Sequence, residues 1–426
     1  MARFNPLRAL RFNPEHVRLG GVLAPPYDVI SAARRDELYG RDLRNIVRVD
    51  YGVEYQDDTA GVNDRYTRAV AHLASWLQLG ILERDPDPAF YVSTHEFAHP
   101  GGGTRVRRGV FGRVPARPWD RSELRPHERT LRAPKADRLA LLRATQVQTS
   151  PVFVIATGAS GLGAVLDEAT AGPALLGGRT DGELGPEKHL VWRLAGPDAL
   201  AAVTSALQDA VLYVADGHHR YETAVAYAEE RRMATPDAPE DEDFAQCLVH
   251  VVDREDPTLT LLPTHRMVRP RSGVAFSLDD LWARVDDAFD EEPSESISLA
   301  MARITELRET HHAFAVVAHD GIAVLRRERR ASGTPRARLD PVVLEEEVLA
   351  PAGVGHAAVA AGALAYTRDA DELVGSVHRR DAVLAFGLNP VSVDELIAVA
   401  DAAETMPQKS TYFYPKVPTG IVLSPV

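Results

Sequence analysis

Apolar residues recur at helical spacing between 63 and 82, at Val70, Leu73, Ala74, Leu77 and Ile81, predicting an amphipathic helix that ends near Gly80. Alternation in Asn45-Ile46-Val47-Arg48-Val49-Asp50 predicts a strand, and Ser31 is a candidate N-cap for a helix through Leu38. Phe90–Phe97 and Val106–Val114 read as a hairpin across the glycine-rich loop 99–103. A strand Pro151–Ile155 follows, while 157–188 is rich in Gly and Ala with no clear period. A helix over 198–210 precedes the wholly apolar run Val211-Leu212-Tyr213-Val214-Ala215, a buried strand, and then a helix Tyr221–Met233. Strands are predicted at 246–252 and 258–262. Beyond about 275 helices (278–289, 295–309) alternate with short strands (313–318, 321–327, Val383–Leu388), and the basic stretch Arg326–Arg338 reads as a surface loop. The pattern predicts an α+β chain: a core over 1–270 that 400–426 rejoins, and a second α/β region or lid over 271–399.

Composition narrows the class. The 426 residues carry a formal charge of −13, which argues against a broad basic face for nucleic acid and leaves room for a local phosphate pocket. Cys247 is the single cysteine and sits in an apolar run, as a small buried hydrophobe would, so no intrachain disulfide forms. No run approaches the roughly 20 apolar residues of a membrane helix, and Met1–Pro6 lacks a signal-like apolar region. A cytoplasmic protein without a membrane partner is expected. Of 48 basic residues only Lys135, Lys188, Lys409 and Lys416 are lysine. Arg is a poor substitute where a compact ammonium is needed, so these four are candidates for chemistry.

The sharpest constellation is Asp216-Gly217-His218-His219-Arg220, between an apolar strand and a helix. A helix start gathers backbone N–H groups and the positive end of the dipole, which suits an anion and phosphate in particular. Gly217 permits close approach, the imidazoles can move a proton near neutral pH, and Asp216 could orient an imidazole or bind Mg²⁺. A capped helix with solvated histidines is the plain alternative. The second constellation is His127-Glu128 with Thr130, Lys135 and Arg138: an acid–base pair beside two cations on one helix face. The third is Lys409-Ser410-Thr411 followed by three aromatics and Lys416; it lacks the glycines of a P-loop, and a terminal edge strand would explain it structurally. Pro25-Pro26-Tyr27-Asp28 is a rigid loop ending in a carboxylate, and His265-Arg266 is a weaker pair after a strand.

Four segments, Pro25–Ile30, Pro126–Thr130, Ala215–Ala224 and Met406–Lys416, together resemble the prokaryotic domain-of-unknown-function family numbered one thousand and fifteen, along the whole chain. The turn 216–220 is also similar to the signature turn of the ParB/sulfiredoxin-like superfamily, which includes free-serine kinases. That resemblance implies a ParB/sulfiredoxin-like mixed core in which Asp216, His218, His219 and Arg220 serve nucleotide phosphates and phosphoryl transfer. A His stands where the sulfiredoxin branch has its catalytic Cys, so sulfinic-acid reduction is not expected. The kinases take a Glu base from an upstream segment, for which Glu128 is the nearest candidate. The implied activity is phosphoryl transfer to a small metabolite, most concretely from ATP or ADP with Mg²⁺ to free L-serine or a similar hydroxy amino acid. Glu128 or Asp28 would be the base, and Gly217, Arg220, His127, Lys135, Arg138, Lys409, Ser410, Thr411 and Lys416 would hold phosphate and substrate. A phosphoserine phosphatase on the same anion site and a non-catalytic nucleotide-binding regulator are the alternatives.

Overall fold

In the computed structural model, residues 3–128, 132–269, 276–329 and 333–426 are described; Thr130 lies outside them. The chain divides into two compact units, one of 1–126, 130–259 and 415–426, the other of 127–129 and 260–414. Both mix helices and sheets, so the class is α+β.

The first unit is built on an eight-stranded sheet in the order 124–125, 211–216, 152–157, 246–253, 104–115, 90–98, 185–194, 176–182. All neighbours pair antiparallel except 211–216 with 124–125 and 246–253 with 152–157. One face carries the apolar core: Val92, Val110, Val154, Leu212, Val214 and Val249 pack with Leu162, Leu166, Val203, Leu207, Tyr221 and Ala224 from three helices. On the other side of the pleat lie Ser93, His95, Arg107, His189 and His250, polar yet buried. The hairpin is as expected, with strands Phe90–Ala98 and Thr104–Pro115. The end of the chain is an integral part of this unit, because Leu423 bridges Leu10, Thr419 bridges Ala24 and Ser424 pairs with Gln148.

Three local expectations change. Asn45–Asp50 is not a strand: Val47–Asp50 is a short helix. Asn45 decides this, for its Oδ1 accepts from the Val47 amide while its Nδ2 donates to the carbonyls of Gly21 and Leu23, and that turns the chain. The helix expected over 63–82 is Arg65–Gln78, but it buries Ala69, Leu73 and Trp76 and leaves Val70 and Leu77 exposed. Trp76 is the largest apolar side chain on the helix, and burying it sets the rotation. The stretch 157–188 contains helix Leu162–Thr170 and strand Leu176–Gly182. Its glycines hide the pattern because they serve backbone contact: a Cβ at Gly178 would lie 2.4 Å from the Gly20 nitrogen.

The second unit has a six-stranded antiparallel sheet in the order 290–294, 321–328, 311–318, 384–387, 265–268, 364–367. Both faces are covered. Phe314, Val316, Leu325 and Phe386 face Leu281, Val285 and Leu344, whereas Ala313, Ala315, Val317 and Ala385 face Ala300, Ile304, Leu373 and Val377. Two-sided burial explains why His311–Ala318 reads as a continuous apolar run rather than an alternating one.

The helix Arg65–Gln78 begins with a capping box between Asp64 and Thr67. Asp64→Ala is therefore expected to lower unfolding free energy by about 1 kcal/mol. Urea denaturation followed by circular dichroism measures this, and an unchanged midpoint would contradict it.

Candidate functional site

In the first unit the strand Val211–Asp216 ends in a bulge, since Val214 pairs with Val154 but Asp216 pairs with Phe153. The bulge re-aims Asp216 at the point where the chain enters the helix His218–Ala234. Gly217 caps that helix with φ +98°, a left-handed conformation that favours glycine. A Cβ there would also press on the Arg220 guanidinium at 3.0 Å. The amides of the first turn have no helical carbonyl to meet, and they sit at the positive end of a 17-residue helix.

The Asp216 carboxylate grips two cations. Oδ2 accepts from Arg220 Nη2 at 2.6 Å and Oδ1 from Lys416 Nζ at 2.7 Å. Arg220 reaches back under the sheet to Ser150 Oγ at 2.9 Å and to the Pro151 carbonyl. Burial works to lower the Arg220 pKa, but the carboxylates of Asp216, Asp28 and Asp50 outweigh it and hold it above the usual value. The segment Pro25–Asp28 thus belongs to the same neighbourhood. Asp28 is exposed, and burial pushes the Tyr27 hydroxyl well above its ordinary range, with Asp28 adding to the effect.

Arg138 is buried. It donates to the Asp50 carbonyl at 2.7 Å and to Asp137 Oδ2 at 2.6 Å, and it stacks 4.1 Å from the Tyr27 ring centre. Asp50 also accepts from Thr149 at 2.6 Å. Tyr27, Asp50, Arg138, Ser150, Arg220 and Cys247 line a cavity of about 50 Å³, room for a few waters. Lys135, expected on the same helix face as Arg138, reaches Glu222 Oε2 at 2.5 Å, and Trp119 Nε1 donates to the other oxygen of that carboxylate at 3.0 Å. His218 is buried, with its ring 6.3 Å from Trp119, and His219 is half-buried.

The second unit gathers a different set. His127 Nε2 lies 3.0 Å from Thr411 Oγ1, and the Met406 amide donates to the His127 carbonyl at 2.8 Å. Glu128 Oε1 accepts from the Lys409 amide at 3.2 Å. Lys409 is exposed with φ +57°, and Ser410 is buried, donating to the Pro407 carbonyl at 2.7 Å. The fully buried Arg266 pairs with Glu345 Oε1 at 3.0 Å and donates to the Lys409 carbonyl at 3.2 Å.

Asp28, Arg138, Asp216, Gly217, Arg220 and Lys416 therefore come together in one unit, and His127, Glu128, Lys409, Ser410 and Thr411 in the other. Asp50, Asp137 and Ser150 escaped the sequence reading. Asp50 ended what looked like a strand, and Ser150 preceded a proline in an unremarkable turn. The Asp216 carboxylate does not suit Mg²⁺, because each oxygen already carries a cation.

The model of the family described as proteins of unknown function, DUF1015, matches residues 4–344. The chain belongs to the DUF1015 family. No curated protein matches it. Among solved structures, a free serine kinase in complex with AMP is similar at 10% identity and a TM-score of 0.35, covering 74% of this chain and 92% of that one. A conserved hypothetical protein from Pyrococcus furiosus is similar at 12% identity and TM-score 0.35, with 74% and 95% coverage. SbnI with a C-terminal truncation, from Staphylococcus aureus, is similar at 12% and 0.36, with 73% and 85% coverage. Among the described residues of the DUF1015 chain no helix is long and apolar enough to cross a membrane.

Two buried groups of this DUF1015 protein give testable titrations. Burial pushes the Cys247 thiol up to about 12, so the native chain is expected to resist thiol reagents at pH 8 and to react with one equivalent once unfolded in urea. In the second unit, burial and then the Arg266 charge lower His265 to about 4 from 6.5. Between those values the unfolded chain binds the extra proton, so stability falls as pH drops below 6.5, by about 2 kcal/mol at pH 5 from this one group. His265→Asn, which keeps an acceptor for the Leu388 amide, is expected to flatten that part of the pH profile; an unchanged slope would count against the assignment.

Proposed function

We propose that this protein is a phosphoryl-transfer enzyme acting on a small hydroxylated metabolite, most concretely a kinase that moves a phosphoryl group from ATP or ADP to free L-serine or a similar hydroxy amino acid. One observation carries the reading: the left-handed Gly217 opens a long helix beside Arg220 and Lys416, both anchored on the one carboxylate of Asp216. The carboxylates of Asp216, Asp28 and Asp50 stand against Arg220 and Lys416, so an anion there is drawn by the positive end of the helix and by the guanidinium and ammonium donors beside it rather than by a net positive charge. The resemblance of 216–220 to the phosphate-binding turn of the ParB/sulfiredoxin-like superfamily points the same way.

In this reading the first-turn amides of the helix, Lys416 and Arg220 neutralise the phosphate oxygens as charge builds on them. Asp216 acts by positioning both cations, and His218 and His219 add donors. The substrate hydroxyl attacks the terminal phosphorus and its proton passes to a carboxylate. In this unit the exposed Asp28, within the electrostatic reach of Arg220, is the carboxylate we assign to that role. The phosphorus–oxygen bond to the nucleotide breaks, and the shortened nucleotide leaves with the bond's electron pair. The residues at Asp216 do not suit Mg²⁺, so no step is assigned to a metal.

The test is turnover of L-serine with ATP and, separately, with ADP, following phosphoserine and released nucleotide. Activity with one nucleotide is expected, falling at least about 100-fold in Lys416→Met and in Asp28→Asn while the circular dichroism spectrum is kept. Release of phosphate from phosphoserine without nucleotide would replace the kinase with a phosphatase. No phosphoserine with either nucleotide would overturn the proposal.

A further inference from the structure

The sheet of the first unit carries a second cluster, which the sequence reading passed over. Glu187 and His189 lie two residues apart on strand Gly185–Leu194 and so share a face. His95 is the register partner of His189 on the neighbouring strand. All three side chains are buried, and one donor atom from each lies within 4.8 Å of the others. His95 Nε2 is 2.8 Å from Glu187 Oε2. These spacings bracket the roughly 3.3 Å that separates donors around a tetrahedral ion with 2.0–2.1 Å bonds.

Two further features mark the cluster as built for a ligand. His189 Nε2 lies 2.8 Å from Thr180 Oγ1, while its Nδ1 is buried with no hydrogen-bond partner. Nε2 is also the nitrogen that lies 3.8 Å from Glu187 Oε2, so Thr180 holds the ring with that nitrogen toward the carboxylate. Opposite the carboxylate, a Cβ at Gly182 would lie 2.0 Å from Glu187 Oε1, so only glycine leaves the carboxylate its place.

We propose that His95, Glu187 and His189 form a binding site for one divalent transition-metal ion of the zinc class. A single carboxylate and two imidazoles favour an ion that prefers nitrogen over Mg²⁺ or Ca²⁺, which take several oxygens. Arg107, the register partner of His95 on its other side, places a positive charge beside the cluster that the coordinate bonds of the ion must outweigh. The site is distinct from the Asp216 turn. The strand bearing His95 is four places from the strand ending in Asp216, roughly 19 Å across the sheet.

The untagged full chain, stripped with chelator, is titrated with Zn²⁺ and with Co²⁺ and analysed for bound metal after dialysis. One equivalent of zinc is expected, with visible d–d absorption from the cobalt form. Affinity should fall at least tenfold in Glu187→Gln and in His95→Gln, and stay unchanged in His16→Gln at the surface. Wild-type crystals grown with Zn²⁺ and measured at the zinc edge need no variant, and an anomalous peak among the three side chains is expected even if a substitution prevents folding. Less than a stoichiometric ion, a peak elsewhere, or unaltered affinity in both variants would overturn the assignment.

Discussion

The carboxylate of Asp216 is the point on which the candidate site depends. It joins a strand end, the first turn of a long helix through Arg220, and the last dozen residues of the chain through Lys416. All three side chains are largely sheltered from water. Removing Asp216 would take the shared carboxylate from both cations, a loss of the kind that costs about 3–5 kcal/mol for a buried pair. The charges are tolerable because each has a partner: Arg220 also meets Ser150 and the Pro151 carbonyl, and Arg138 is held between Asp50 and Asp137. The result is a set of balanced ion pairs, three cations on three carboxylates, whose geometry is set before any ligand arrives, which is what electrostatic catalysis asks of a protein.

The sheet beneath this cluster divides its labour. One face holds an ordinary apolar core against three helices. The other buries Ser93, His95, Arg107, His189 and His250, and burial drives the three imidazoles well below their usual pKa. Burial likewise raises Glu187 to about 7, only partly offset by His189 and Arg107. A protein that hides so many ionisable groups on one sheet face keeps them in partnerships: Ser93 with His250 at 2.9 Å, His95 with Glu187 and Thr180 with His189 at 2.8 Å. The second unit follows another rule. Its strands 311–318 and 384–387 are apolar on both faces, and its buried charges, Arg266 with Glu345 and His312 with Asp340, are paired at the margins of two cores.

Much of this was legible along the chain. The apolar run 211–215 followed at once by Asp-Gly-His-His-Arg is a local pattern, and local patterns suffice for a strand, a left-handed glycine and a helix start. The hairpin of 90–98 and 104–115 and the helices 278–288 and 297–307 were legible for the same reason, whereas the helices 370–378 and 393–401 were not anticipated. Failures came where a distant partner outweighed the local pattern. Asn45 turned an alternating stretch into a helix by bonding carbonyls more than twenty residues away, and Trp76 rotated its helix away from the face that Val70 and Leu77 marked.

The sequence by itself marked the turn 216–220 and the strand and helix on either side of it, because propensity and periodicity act over a few neighbouring positions. Tertiary structure alone decided the pairings: Lys416 with Asp216 across 200 positions, Arg138 with Asp50 across 88, His95 with Glu187 across 92. Electrostatic and hydrogen-bond energies depend on separation in space, and no spacing along a chain encodes that until the sheet has brought the strands together.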